Sequence, residues 1–73
     1  MKKYKHLEID HVMWNIAGNH TIGIILCTDT ITGKKKGYTG VTLNGSEEDD
    51  IKSIIDWGSK ITEYGVYLLA NHF

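Results

Sequence analysis

Hydrophobic and polar residues alternate along the first half of this chain, in runs that are separated by turn-forming residues. Alternation with a period of two is typical of β-strands, because successive side chains point to opposite faces of a sheet. The clearest runs cover 11–17, 21–28 and 36–43, and a looser run over 3–9 is consistent with an N-terminal edge strand. The 21–28 run is apolar on both faces, which predicts that it is the central strand.

Two turn signals join the three clearest runs into successive hairpins. The first turn, 18–20, contains glycine and asparagine, which tolerate the positive φ angles of a tight hairpin. In the second turn, 29–33, Asp29 can bond neighbouring backbone amides and Gly33 suits a left-handed conformation. Together the two hairpins predict a three-stranded antiparallel meander.

A helical pattern replaces the alternation after the Asn-Gly pair at 44–45. Ser46 is a favourable N-cap, and Asp49 stands where a capping partner belongs. The isoleucines at 51, 54 and 55 follow the spacing of one helical face, which predicts an amphipathic helix that packs on the sheet and ends near Gly58. The last apolar run, 66–70, is interpreted as a C-terminal strand, with a short helix as the alternative.

These elements predict one α+β domain over 1–73, a small antiparallel sheet with a single amphipathic helix on one face. A chain of 73 residues has a small core, and its one cysteine excludes an internal disulfide. We therefore expect a homo-oligomer. Because one helix covers one face, we expect Ile25, Cys27 and Tyr67 to lie on an open apolar sheet face that binds another copy.

Charge composition restricts the classes of partner. The eight basic residues are all lysine, and arginine, which reads guanine edges with two bonds, is absent, so sequence-specific nucleic-acid recognition is not expected. No apolar run approaches the length of a membrane span, and we expect a cytoplasmic protein without membrane contact. The lack of proline and arginine beside many lysines and isoleucines is typical of an AT-rich genome, such as that of a phage or low-GC bacterium.

The lysine run at 34–36 supplies the candidate chemistry for an anionic ligand. It follows Gly33 but leads into a strand, so it does not match a phosphate-binding loop. In a strand, alternate lysines project to the same side and can bind a phosphate together, although a solvated hairpin tip also explains the run. Aromatic side chains can stack on a base. The candidate ligand-binding residues are Trp14, Asn19, His20, Lys34, Lys36 and Tyr38.

The acidic run 47–50 is the densest charge feature of the predicted helix, and its candidate interface residues are Glu47, Glu48 and Asp50. The helix dipole stabilises carboxylates in a first turn, which explains the run without a ligand, whereas a surface for a basic protein is the alternative. The histidines are poorly spaced for zinc, and we expect no metal and no cofactor. No nucleophile elbow or acid/base pair is present, and we expect no enzymatic activity.

The sequence therefore predicts a non-catalytic binding module. We expect a phage or mobile-element protein that antagonises host defence by sequestering a small nucleotide-type signal at subunit interfaces, an expectation that rests on class-level analogy. One alternative is an inhibitor that presents the acidic helix start or the open sheet face to a host protein. The other is a small structural or accessory subunit.

Overall fold

The computed structural model describes residues 2–42 and 45–72. Within them the chain forms a five-stranded antiparallel sheet and two helices, so the predicted α+β class is confirmed. The strands lie side by side in chain order. The elements are β1 (Lys3–Tyr4), β2 (Leu7–Ala17), β3 (His20–Asp29), β4 (Lys35–Val41), α1 (Glu47–Trp57), β5 (Ser59–Lys60) and α2 (Glu63–Ala70).

The hairpin of β2 and β3 forms the centre of the sheet. Gly18 has a φ of 64°, a conformation that residues with a Cβ rarely adopt, and the two-residue turn places Ala17 opposite His20. Between Ile9 and His11 the register shifts, so Asp10 occupies a bulge on β2. The central position predicted for the 21–28 run is confirmed, since β3 pairs with both β2 and β4.

The second hairpin also forms as its sequence predicts. The Asp29 carboxylate accepts hydrogen bonds from the amides of Ile31 at 2.9 Å and Thr32 at 3.3 Å, and Gly33 has a φ of 74°. β4 begins directly after this turn. The predicted end of this strand at Leu43 and the turn residue Asn44 lie outside the described residues.

α1 packs on one face of the sheet and forms the core with it. The helix starts where the Ser46 hydroxyl accepts a hydrogen bond from the Asp49 amide at 3.1 Å, as predicted. Ile51 and Ile54 are buried against Ile25, which is 0% exposed. We call this side of the sheet the α1 face.

After α1 the chain crosses the outer edge of β4 to the other side of the sheet. The short strand β5 pairs with Tyr38 and Thr39, and the next amide, that of Ile61, donates to the Gly37 carbonyl at 2.8 Å. α2 follows on the face opposite α1. A Cβ on Gly37 would lie 2.9 Å from Val66, so the absence of a side chain there lets α2 approach the sheet.

Two predicted elements are corrected by the structure. The C-terminal strand over 66–70 is wrong, because these residues belong to α2, whose N-cap Thr62 accepts a hydrogen bond from the Gly65 amide at 3.1 Å. The run 3–9 is not one edge strand, since Lys5, at a φ of 55°, turns the chain back after β1. The sheet therefore carries a helix on each face rather than one helix in all.

The open apolar face predicted for Ile25 and Cys27 is also wrong. Both residues are 0% exposed, and Ile25 belongs to the face that α1 covers. Gly23 and Gly40 share that face, and a Cβ on Gly23 would lie 2.5 Å from Ile54. The glycines let α1 approach this side of β3, so neither Ile25 nor Cys27 is available to another chain. Tyr67, on α2, is 62% exposed.

Candidate functional site

Four lysines meet in one groove at the β4 edge, between the second hairpin, β5 and the start of α2. The groove has a volume of about 340 Å³, which lies at the small end of the range for ligand sites, roughly 300–1,000 Å³. We call it the lysine groove. Its lining residues are Thr32, Lys34, Lys35, Lys36, Lys60, Ile61, Glu63 and Val66.

The fold brings Lys60 to the three hairpin lysines from a distant part of the sequence. Lys34 precedes β4, and Lys35 and Lys36 are its first residues, placed by the turn at Gly33. Lys60 lies opposite Tyr38 in β5, two residues along β4 from Lys36. The groove therefore depends on the crossing of the chain at the β4 edge.

Lys36 is held in an ion pair with the buried carboxylate of Asp29. Its Nζ donates to Asp29 Oδ2 at 3.0 Å, and His6 Nε2 lies 3.5 Å from the same oxygen. The hydrogen bond from Lys36, with those from the Ile31 and Thr32 amides, lowers the pKa of Asp29 to about 2 although burial opposes this. The same hydrogen bond raises the pKa of Lys36. Lys36 is therefore a fixed charge at one wall of the groove.

Lys35 lies in a second polar cluster on the opposite side of β4. Its Nζ donates to Asp10 Oδ2 at 3.1 Å and to Thr28 Oγ1 at 2.8 Å, while Thr28 donates to Asp10 at 2.6 Å. Burial works to raise the pKa of Asp10, but the hydrogen bonds from Thr28 and Lys35 outweigh it and lower the value. These three side chains satisfy one another, so Lys35 contributes less free charge to a ligand.

Lys34 and Lys60 are the lysines available for an incoming anion. In the described parts of the chain, neither of them has an ion-pair partner. Glu63 is the carboxylate that lines the groove with them. An anion that binds here gains attraction from the lysines and repulsion from Glu63, which makes this glutamate a test of the site.

An aromatic side chain adjoins the lysine groove. A neighbouring depression of about 310 Å³ shares Lys34 and Glu63 with the groove and reaches Tyr67 and Asn71 on α2. Tyr67 is largely exposed, and an exposed aromatic ring is a stacking surface for a nucleobase. Lysine ammonium groups, an aromatic ring and an amide side chain thus occur along one continuous surface.

The residues predicted to bind a ligand are not all brought together. Asn19 lies in the turn before β3 and His20 is its first residue, whereas Lys34 follows the turn at the other end of the strand. A strand of ten residues spans about 30 Å at ~3.3 Å per residue, so one small ligand cannot touch both ends. The lysine pair and the turn pair are therefore separate surfaces.

Trp14 and Tyr38 are occupied in packing on the α1 face. Both are half-buried beside the cluster of Ile25, Ile51 and Ile54. A Cβ on Gly23 would lie 2.5 Å from the Trp14 ring, which shows how closely the ring covers this strand. Tyr38 and Trp14 point to the α1 face, away from Gly37 and α2, and neither lines the lysine groove.

The acidic helix start is only partly open to a partner. Glu47 and Glu48 are exposed, and Glu48 forms an ion pair with Lys52 at 3.4 Å one turn later. Asp50 is buried. Of the three acidic residues predicted for a protein interface, two can contact a partner chain without rearrangement.

The chemistry of Cys27 is that of a core residue. Burial raises the pKa of its thiol to about 11, so the thiolate needed for nucleophilic attack is scarce near neutral pH. Its Sγ donates to the Lys36 carbonyl at 3.5 Å. Across residues 2–42 and 45–72, no three histidine, cysteine or acidic side chains are grouped to hold a metal ion.

Lys60, Glu63 and the position of Tyr67 beside the lysine groove were missed by the sequence prediction. Lys60 stands alone between a helix end and an apolar residue, and nothing nearby in the sequence indicates its neighbours. The available signal was Gly58, which ends α1 and permits the close crossing at β4.

No protein-family model, no curated protein and no solved structure matches this chain. In the described residues, neither helix has the length and apolar character required to cross a membrane.

Proposed function

We propose that this protein is a non-catalytic binding module that sequesters a small anionic ligand of the nucleotide type in the lysine groove. The observation that carries the proposal is that Lys34 and Lys60 meet in one groove beside Tyr67, with Lys36 held at its wall by Asp29. Lysine binds phosphate as a point charge, and a tyrosine ring stacks on a base.

The arrangement fits binding better than catalysis. The lysines of the groove serve charge recognition, and Asp29 and Asp10, the carboxylates that pair with Lys36 and Lys35, are committed to structural hydrogen bonds. Cys27, the nucleophile of highest intrinsic reactivity, is buried. We therefore propose a protein that holds its ligand without converting it.

The proposal also includes the biological role of the protein, which we take to be the antagonism of host defence. A small protein whose composition is typical of an AT-rich genome, and that binds a nucleotide without converting it, suits a phage or mobile element that withdraws a signal from host defence. The groove lies within one chain, so the proposal differs from the expected site between subunits. The cargo itself is tested by native mass spectrometry of protein purified rapidly from its host, where the proposal predicts a releasable ligand of a few hundred daltons.

Isothermal titration with ATP, adenosine and inorganic triphosphate tests the groove. We expect ATP and triphosphate to bind and adenosine to bind much more weakly. Lys34→Gln and Lys60→Gln should each weaken ATP binding about tenfold or more, since a hydrogen bond to a charged group contributes roughly 1.5–3 kcal/mol. Lys3→Gln is the matched control, because it removes the same charge from the exposed strand β1.

The Glu63→Gln substitution is expected to change ATP affinity in the opposite direction. Tighter binding in this variant cannot result from loss of folding, so it complements the lysine variants. Removing this carboxylate from the groove should tighten the binding of ATP several-fold at low salt, because it removes a repulsive charge. If the lysine variants and Glu63→Gln bind ATP with the same affinity as the wild type, ATP binds elsewhere and the proposal is contradicted.

A further inference from the structure

The outer edge of β2 is a long stretch of unpaired strand. β1 pairs with β2 at Leu7 and Glu8, and the Ile9 amide donates to the Lys2 carbonyl at 2.9 Å. In the described part of the chain, no backbone pairs with the outer side of β2 between Val12 and Ala17. We call residues 12–17 the open edge.

Every second residue of the open edge directs its backbone polar groups away from β3. Ala17 and His20 flank a two-residue turn, so they form the hydrogen-bonded pair that closes the hairpin. Hydrogen-bonded and non-hydrogen-bonded pairs then alternate along the strand. The residues with outward N–H and C=O groups are Val12, Trp14 and Ile16.

Backbone hydrogen bonding on the β4 side of β3 agrees with this assignment. Thr21, opposite Ile16, accepts a hydrogen bond from the Thr42 amide at 2.8 Å. Its backbone therefore faces β4, and the backbone of Ile16 is left facing outward. Unpaired groups of this kind form a template for another strand.

The open edge lacks the features that ordinarily protect a strand edge. It contains no lysine, aspartate, glutamate or proline, and the charged residue nearest to it on β2 is Asp10, in the bulge. Ile16 is 79% exposed. By contrast, β5 covers part of the β4 edge.

We propose that the open edges of two copies of this chain pair antiparallel about a two-fold axis at Trp14, forming one continuous ten-stranded sheet. This register places Val12 opposite Ile16 of the second copy and Trp14 opposite its own equivalent. It uses all three outward-facing residues and forms about six hydrogen bonds, two for each of the three pairs.

A second copy is the occupant that the chemistry of the edge favours. A two-fold axis brings the same residues together, which is tolerated only where no like charges meet, and the open edge carries no acidic or lysine side chain. Pairing covers Ile16 with Val12 of the second copy. It also leaves the lysine groove, at the opposite edge of the sheet, open to solvent.

Sedimentation equilibrium over a wide concentration range tests the pairing. We expect wild-type protein to approach twice the mass of one chain, and Ile16→Lys to weaken the dimer about tenfold or more, because an edge lysine opposes strand addition. Ile31→Lys is the matched control, since Ile31 is 77% exposed but lies in the other hairpin. It should dimerise like the wild type.

Cysteine cross-linking tests the register. Val12→Cys combined with Ile16→Cys should give a disulfide-linked dimer on mild oxidation, because the two positions face each other across the axis. Ile16→Cys alone should not, since its two copies lie about 13 Å apart along the strands. Cys27 is buried and does not compete.

A wild type that stays monomeric at all concentrations, an Ile16→Lys variant that dimerises normally, or a cross-link in the single variant would overturn the inference. The pairing does not depend on the lysine groove. A protein that dimerises but does not bind ATP would support this inference and contradict the proposed function. A protein that binds ATP but stays monomeric would support the proposed function and contradict this inference.

Discussion

Asp29 stabilises the second hairpin through both of its carboxylate oxygens. Oδ1 accepts from the Ile31 and Thr32 amides, which fixes the turn, and Oδ2 accepts from Lys36, which fixes the start of β4. The side chain is buried, so these partners replace the water that the charge loses. The charged form is therefore favoured in the folded protein over the neutral one.

This preference predicts an acid-sensitive contribution to stability. The pKa of Asp29 falls from an ordinary value of 3.8 to about 2 on folding. A depressed carboxylate pKa stabilises the fold fully above the unfolded value, and this contribution is lost as the pH falls from about 4 through about 2. Urea unfolding at several pH values should show that the Asp29→Asn variant is less stable than the wild type at neutral pH and less sensitive to acid.

Glu47→Gln serves as the control for this measurement, because it removes an exposed carboxylate at the start of α1. Its effect on the loss of stability in acid should be smaller than that of Asp29→Asn. An Asp29→Asn variant with the full wild-type loss of stability between pH 4 and 2 would contradict the assigned role of the carboxylate.

At the scale of elements, α1 is held to the sheet by its isoleucines and by two glycines beneath it. Ile54 lies directly over Gly23 and Gly40. We expect Ile54→Ala to lower the free energy of unfolding by about 2–5 kcal/mol, the range for large-to-small changes in a core. Trp57→Ala should change it by less than about 0.5 kcal/mol, since Trp57 is 86% exposed at the end of the same helix. Thermal and urea unfolding measure both values, and equal effects would contradict this packing.

The crossing at Gly58 connects the two helices and determines the position of α2. A Cβ at this residue would lie 2.5 Å from the Thr39 carbonyl oxygen and 2.6 Å from that of Ile54. Both atoms belong to the backbone and cannot move aside easily. We expect Gly58→Ala to cost about 1–3 kcal/mol and to displace β5.

Hydrogen exchange shows which part of the Gly58→Ala variant loses structure. Protection should fall at the Ile61 amide, which donates to Gly37, and should persist in the hairpin of β2 and β3. Gly18→Asn is a useful comparison, because Gly18 has no neighbour within 4 Å of an added Cβ, so any effect there reflects backbone conformation alone. Uniform loss of protection in Gly58→Ala would show that the crossing is not a local feature.

At the scale of the whole molecule, local sequence signals predicted the parts of the fold that local residues determine. Gly18, Gly33, Asp29 and Ser46 each act within a few positions of the chain, and their turns and cap formed as expected. The face covered by α1 could not be predicted in this way. It depends on Gly23 and Gly40 lying side by side in two strands, which the sequence order does not show.

The sequence predictions for the C-terminal region and for the lysine groove were incomplete for a related reason. The run 66–70 is apolar at nearly every position, which fits a strand or a helix equally well, and the cap at Thr62 with Gly37 beneath Val66 decides the outcome. The lysine groove follows from the same crossing, which carries Lys60 to the start of β4. Only its hairpin half, at Lys34 and Lys36, was predictable from the sequence.

The most direct test of the proposed function is a titration of ¹⁵N-labelled protein with ATP, followed by the backbone amide signals. Binding in the lysine groove predicts shifts concentrated at residues 32–36 and 60–67, with little change at the hairpin tip, residues 18–20. Shifts centred on 18–20, or no shifts at saturating ATP, would contradict the account.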